Sequence, residues 1–166
     1  NIMRQEIIRK YKLGSDFSLS HSYLFFWDKM ERTNYFLDNI NKTRDTPLDS
    51  RLVAHLLNDP YCDGGQWDMF ANLVEKYGVI PQSYYQESYH SSNSRRLNWL
   101  LTCQARQVSQ KIREAPPSAF AKIKKSALEK TYHILCCLMG EPPVEFTWEY
   151  RDKNKEYKNH PTLTPN

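Results

Sequence analysis

Two adjacent glycines, Gly64 and Gly65, stand immediately before the run Gln66-Trp67-Asp68-Met69. A glycine pair leaves bare backbone, on which an extended chain can lie and pair its peptide groups. Gln66 and Trp67 place an amide and a flat apolar ring beside that backbone. Another chain could lie close against that backbone. A packing alternative stands beside it. Trp67 would then lie in the core under the following helix, and Asp63-Gly64-Gly65-Gln66 would be a cap and turn. Asp68 suits the first turn of a helix, where the macrodipole favours an acid.

Other reactive side chains are present without productive spacing. The four cysteines, Cys62, Cys103, Cys136 and Cys137, include no Cys-x-x-Cys pair, and no histidine completes a zinc pattern. Cys136 and Cys137 are neighbours on a helical pattern, point apart, and make poor disulfide partners. The thiols therefore read as buried and reduced, which fits a cytoplasmic protein, and no metal or other cofactor is expected. Cys103, Cys136, His21, His55 and His133 all fall in helical patterns and receive no catalytic role.

The elements that must carry the glycine pair are legible from periodicity. Leu73, Val74 and Tyr77 follow Phe70 at helical spacing, and Gly78 ends that helix. Upstream, residues 2–13 read as one helix and residues 20–41 as a longer one opened by Ser20. A short third helix has Asp49 as its cap. Downstream, residues 79–92 read as irregular. Helices follow over 94–113 and 118–139, broken by Pro116-Pro117 and stopped by Gly140. Residues 144–150 alternate apolar and polar, which predicts a single strand. The segment is thus expected to be mainly α-helical, with about six helices and one short C-terminal strand.

With 40% apolar, 13% aromatic and 25% charged residues, the 166-residue chain lies in the folded class. A net charge of +4 is too small and too dispersed to argue for nucleic acid, which stays as the rival partner of a non-enzymatic helical binding module. Arg95-Arg96 and Lys122-Ile-Lys-Lys125 are the basic clusters, read first as solvated helix faces and otherwise as interface residues. No apolar run approaches the length of a membrane span. The chain starts inside a helical pattern without methionine and stops in a loop-like string, which predicts an internal fragment.

Three strings recur in the order of a known family. Phe17-Ser-Leu-Ser-His-Ser-Tyr-Leu24 resembles the papain-like cysteine peptidase stretch in which a capping serine opens the helix after the catalytic one. Asp63-Gly-Gly-Gln-Trp67, followed by Glu75-Lys-Tyr-Gly-Val-Ile-Pro81, resembles the second-subsite wall of those enzymes. Glu145-Phe-Thr-Trp-Glu-Tyr-Arg-Asp-Lys153 is similar to a stretch of one cytosolic branch only, the bleomycin hydrolase or aminopeptidase C family.

That resemblance implies an α+β papain-like parent fold. It divides this chain into a helical domain with the cleft wall over 1–92, a helical insertion over 93–142, and a strand with a truncated connection over 143–166. It implies that Gly64, Gly65, Gln66 and Trp67 contact peptide substrates. The catalytic cysteine with its oxyanion glutamine would lie upstream, and the histidine and asparagine downstream, so this chain would hold none of the four. It further implies self-association, as hexamers in the intact family. In secreted papain-like enzymes the cysteine before the glycines is disulfide-bonded to the preceding helix. Here Trp27 stands where the partner would be, so Cys62 is expected as a free thiol.

Overall fold

The computed structural model describes residues 2–62 and 64–166. They form two compact units, each assembled from separated segments. One contains the residues up to Phe25 with Gln66–Glu87 and Pro142–Asn166; the other contains Phe26–Gly65 and Ser88–Glu141.

Seven helices and two strands are described: α1 (Ile2–Tyr11), α2 (His21–Lys42), α3 (Arg51–Asn58), α4 (Trp67–Tyr77), α5 (Tyr89–Ser92), α6 (Arg95–Glu114), α7 (Phe120–Met139), β1 (Phe146–Arg151) and β2 (Tyr157–Leu163). The helix beyond the expected six is α5, a single turn. Its capping box, in which the Ser88 and Ser91 side chains each accept from the other's backbone N–H, holds it where periodicity gives no signal. The α3 cap is Ser50 rather than Asp49; the Ser50 side chain accepts the Val53 N–H.

The first unit is organised around the start of α2. Ser20 Oγ accepts the Tyr23 N–H at 3.0 Å and donates to the Tyr85 carbonyl at 2.5 Å, so one hydroxyl caps the helix and ties down the segment after α4. The Tyr23 hydroxyl donates to the Tyr77 carbonyl at 2.8 Å, satisfying the C-terminal end of α4. Gly78 closes α4 at φ 70°. The expected strand over 144–150 is β1, and it has a partner, β2, over residues whose sequence reads as loop. β1 and β2 pair antiparallel, Trp148 opposite His160 and Arg151 opposite Tyr157. The Asp152 carboxylate makes the turn, accepting N–H bonds from Asn154 and Glu156 at 2.8 and 3.0 Å. β2 escapes detection because Tyr157-Lys-Asn-His-Pro-Thr-Leu163 lacks apolar alternation and contains Pro161. The register shifts between Phe146 and Trp148, opposite Pro161, so a bulge absorbs the missing donor. Tyr11, Phe17, Tyr150 and His160 pack their rings on the buried Trp148.

In the second unit α6 and α7 bury Leu97, Leu101, Ile112 and Leu135 almost completely. The Gln104 amide donates to the Ala127 carbonyl and the Thr131 hydroxyl, both at 3.1 Å, a polar bond inside that apolar contact. Arginines satisfy the orphan carbonyls of helix ends. Arg106 donates to the Leu57 and Asn58 carbonyls at 2.9 and 2.8 Å, and Arg44 donates to those of Ile112 and Ala115. On α2, the Thr33 hydroxyl lies 2.7 Å from the buried Tyr61 hydroxyl. Burial pushes the Tyr61 phenol up from 10.0 to about 12. The folded state therefore disfavours phenolate, and Tyr61's contribution to stability is complete below pH 10 and disappears between pH 10 and about 12. Base titration followed by phenolate absorbance and by melting should show that loss; replacement of Tyr61 by Phe should remove it.

Candidate functional site

The four residues singled out by sequence form one consecutive, exposed run at the entrance to α4. Gly64 and Gly65 close a segment of the second unit, and Gln66 begins a segment of the first. Asp63, part of the cap-and-turn alternative, lies outside the described residues. Gly64 is exposed, and a Cβ built on it meets nothing within 4 Å. The side-chain face of Gly64 is open to an approaching chain, while its carbonyl accepts a bond from Arg32.

Gln66 occupies the N-cap position of α4 with extended backbone, and its side chain makes no cap hydrogen bond. Its carbonyl accepts the Met69 N–H at 3.1 Å, while the amide group remains at the surface. Trp67 is 71% exposed, so its ring is not packed in the core of its unit. It lies 5.5 Å from the Phe70 ring, and Met69 is exposed beside them. An amphipathic helix normally hides such residues; α4 buries Leu73 and presents Trp67, Met69 and Phe70 outward, an apolar surface of the kind that receives a ligand or another chain.

Cys62 is a free thiol, as expected, but it and Cys137 are exposed and Cys103 and Cys136 only partly covered, so the expectation of buried thiols is corrected. Sequence reasoning missed the neighbour of Cys62. Arg32 on α2 donates to the Gly64 carbonyl at 2.7 Å and to Asp28 at 2.7 Å, and its third nitrogen lies 3.7 Å from the Cys62 sulfur. The only sequence signal was the i, i+4 spacing of Asp28 and Arg32, a common helix-surface pair.

The remaining nucleophilic and ligating residues are not gathered. Among the described residues no group of three or more His, Cys, Asp or Glu is placed to hold a metal. The Cys137 sulfur lies 3.6 Å from His133 Nε2 on the exposed face of α7, one helical turn apart. Burial raises the neighbouring Cys136 thiol, favouring its protonated form. His21 and His55 are exposed on α2 and α3. A cavity of about 530 Å³ in the first unit is lined by residues including Asp16, Phe17, Gln82, Glu87, Trp148 and Tyr150, and by none of the four predicted residues. Of the basic clusters, Arg95 and Arg96 are exposed, Lys124 is paired with Asp38 at 2.7 Å, and Lys125 faces Glu129 at 4.0 Å. No helix is long and apolar enough to cross a membrane among the described residues.

Comparison with known proteins places this geometry in context. The chain is similar to bleomycin hydrolase of Homo sapiens, 43% identical over 99% of this chain and 38% of that protein. Aminopeptidase C of Streptococcus thermophilus is also 43% identical, again over 99% of this chain and 38% of the relative. The chain thus spans 38% of the length of these two relatives. Among solved structures, pepw from Lactobacillus rhamnosis HN001 superposes with a TM-score of 0.93 at 45% identity, over 98% of this chain and 37% of that one. The model of the Peptidase C1-like family matches residues 1–166. On that match and those identities, the chain belongs to the Peptidase C1-like family.

Proposed function

We propose that this chain is the substrate-facing helical part of a cysteine aminopeptidase of the bleomycin hydrolase type, and that Gly64, Gly65, Gln66 and Trp67 contact the peptide. The open side-chain face of Gly64, with an exposed tryptophan three residues later, carries the reading. An extended substrate pairs its peptide groups with the glycines, and the Trp67 ring borders the pocket for one of its side chains. Main-chain pairing is tolerant of sequence, which suits an enzyme acting on many peptides. A thiolate from outside these residues attacks the scissile carbonyl, with a histidine and an asparagine from the same outside source handling and orienting the proton. The chain then divides, in this reading, into the cleft-bearing helical domain, the helical insertion and the C-terminal strand region set out from the sequence.

A reduced cytoplasmic setting is supported by four cysteines without a disulfide. Hexamer formation comes with the resemblance, and sedimentation of the full-length protein tests it. The nucleic-acid alternative loses support where Lys124 is held by Asp38.

Amide exchange tests the substrate reading directly. In the full-length protein, a slowly cleaved peptide amide should protect the fragment spanning residues 64–67 by about tenfold or more, the result of forming one or two backbone hydrogen bonds. Protection confined to other segments would refute the assignment.

A further inference from the structure

The Gly64 carbonyl is held from inside its own unit. Arg32 Nη2 donates to it at 2.7 Å, and Arg32 Nε donates to Asp28 Oδ2 at 2.7 Å. The Arg32 side chain is only 11% exposed and that of Asp28 only 21%, and the two bonds hold the guanidinium in one plane, with the Gly64 end at the surface. Its remaining nitrogen faces the Cys62 sulfur at 3.7 Å. No disulfide restrains Cys62. The glycine pair has the largest conformational freedom of any dipeptide and the most to lose on ordering.

The Gly64 carbonyl and the Gly65 N–H belong to one planar peptide unit, and no cis peptide bond is present among the described residues. In a trans unit the two groups point in opposite directions. Fixing the oxygen on Arg32 therefore fixes the Gly65 N–H facing away from it. A charge-assisted bond on the oxygen also polarises the unit and makes that N–H a better donor.

We propose that Arg32 is a positioning residue for the substrate wall, aiming and polarising the Gly65 N–H toward the incoming peptide, and that Asp28 orients Arg32. This rests on the reading that a peptide pairs with the glycine segment. A lysine cannot replace the arginine fully, because a point charge cannot engage Asp28 and the Gly64 carbonyl with one rigid fork.

The test uses the full-length protein with Arg32→Gln, Arg32→Lys and Asp28→Asn. Three readouts are needed: KM and kcat on an extended peptide amide, the alkylation rate of the nucleophilic thiol by iodoacetamide, and amide exchange of the fragment spanning residues 62–67. Arg32→Gln should raise KM about tenfold, roughly the effect of one charge-assisted hydrogen bond, with alkylation changed less than about twofold. The same variant should speed exchange in the fragment. Arg32→Lys should recover only part of the loss, and Asp28→Asn should shift KM in the same direction by less. Should Arg32→Gln fail to fold, Asp28→Asn retains the guanidinium and carries the same readouts. Unchanged exchange and unchanged KM in the Arg32 variants, with KM raised by Gly64→Leu, would overturn the role of Arg32 while leaving the substrate reading standing. Faster exchange with KM unchanged in both Arg32→Gln and Gly64→Leu would sink the substrate reading, and the proposed role with it.

Discussion

Gly64→Leu in the full-length protein should lower kcat/KM on peptide substrates by about 10- to 100-fold, while the nucleophilic thiol keeps its rate of alkylation by iodoacetamide. The magnitude corresponds to losing one or two backbone hydrogen bonds, each near the upper end of about 0.5–1.5 kcal/mol, at about 1.4 kcal/mol per decade. The fold should tolerate the change. Gly64 is exposed, and a Cβ there meets nothing within 4 Å. The added side chain would instead occupy the space an extended peptide needs. Steady-state kinetics with a melting curve on the same sample decides the matter. Equal loss of peptide turnover and thiol reactivity, with a lowered melting temperature, would show a folding defect and remove the glycine's proposed role.

The opposite outcome is expected at Gly78, where the substitution is smaller and the damage is to stability. Gly78 ends α4 at φ +70° and ψ −159°, a region essentially restricted to glycine that costs an L-residue about 1–3 kcal/mol. A Cβ there would also overlap the Pro165 carbonyl, a backbone group held by the Val79 N–H at 2.9 Å. Gly78→Ala must therefore displace the segment around Pro165 as well as strain the cap. The expected cost is about 2–4 kcal/mol, read as a shift in the urea midpoint. Gly140→Ala provides the comparison: φ +88° and ψ 162° fall in the same region, yet nothing lies within 4 Å of the new Cβ, so only the backbone cost of about 1–3 kcal/mol should appear, without any displacement. Equal losses at the two sites would show that the Pro165 contact does not constrain the turn.

These glycines also show what a sequence can disclose. Gly78 and Gly140 were legible as helix stops because each follows a periodic apolar run, and both have the positive φ that such stops require. Ser20 was legible as a cap, and its hydroxyl does cap α2. Shorter features were not. The four residues of α5 are fewer than periodicity needs, and its Ser88–Ser91 box is a local side-chain effect. β2 contains a proline and a run of polar residues, so its pairing follows from the Asp152 turn and from β1 rather than from its own composition. In the candidate site, the adjacent glycines were legible as bare backbone, while their reading as a peptide subsite came from the family resemblance. The environment of Trp67 was not legible, since a tryptophan before an amphipathic helix reads equally as core or as wall; its 71% exposure excludes the core reading within its unit. Arg32 could not be linked to Gly64 from sequence, because the two lie 32 positions apart and only the folded path of α2 brings them together.

The most direct measurement is a crystal structure of the full-length protein whose nucleophilic thiol has been trapped by an extended peptide carrying a thiol-reactive group. The trapped peptide should run alongside Gly64 and Gly65 with main-chain hydrogen bonds of about 2.8–3.2 Å to the glycine segment, and with a side chain against Trp67. A peptide bound to the thiol but clear of these residues, or Gly64 and Gly65 buried beneath another part of the protein, would contradict the account.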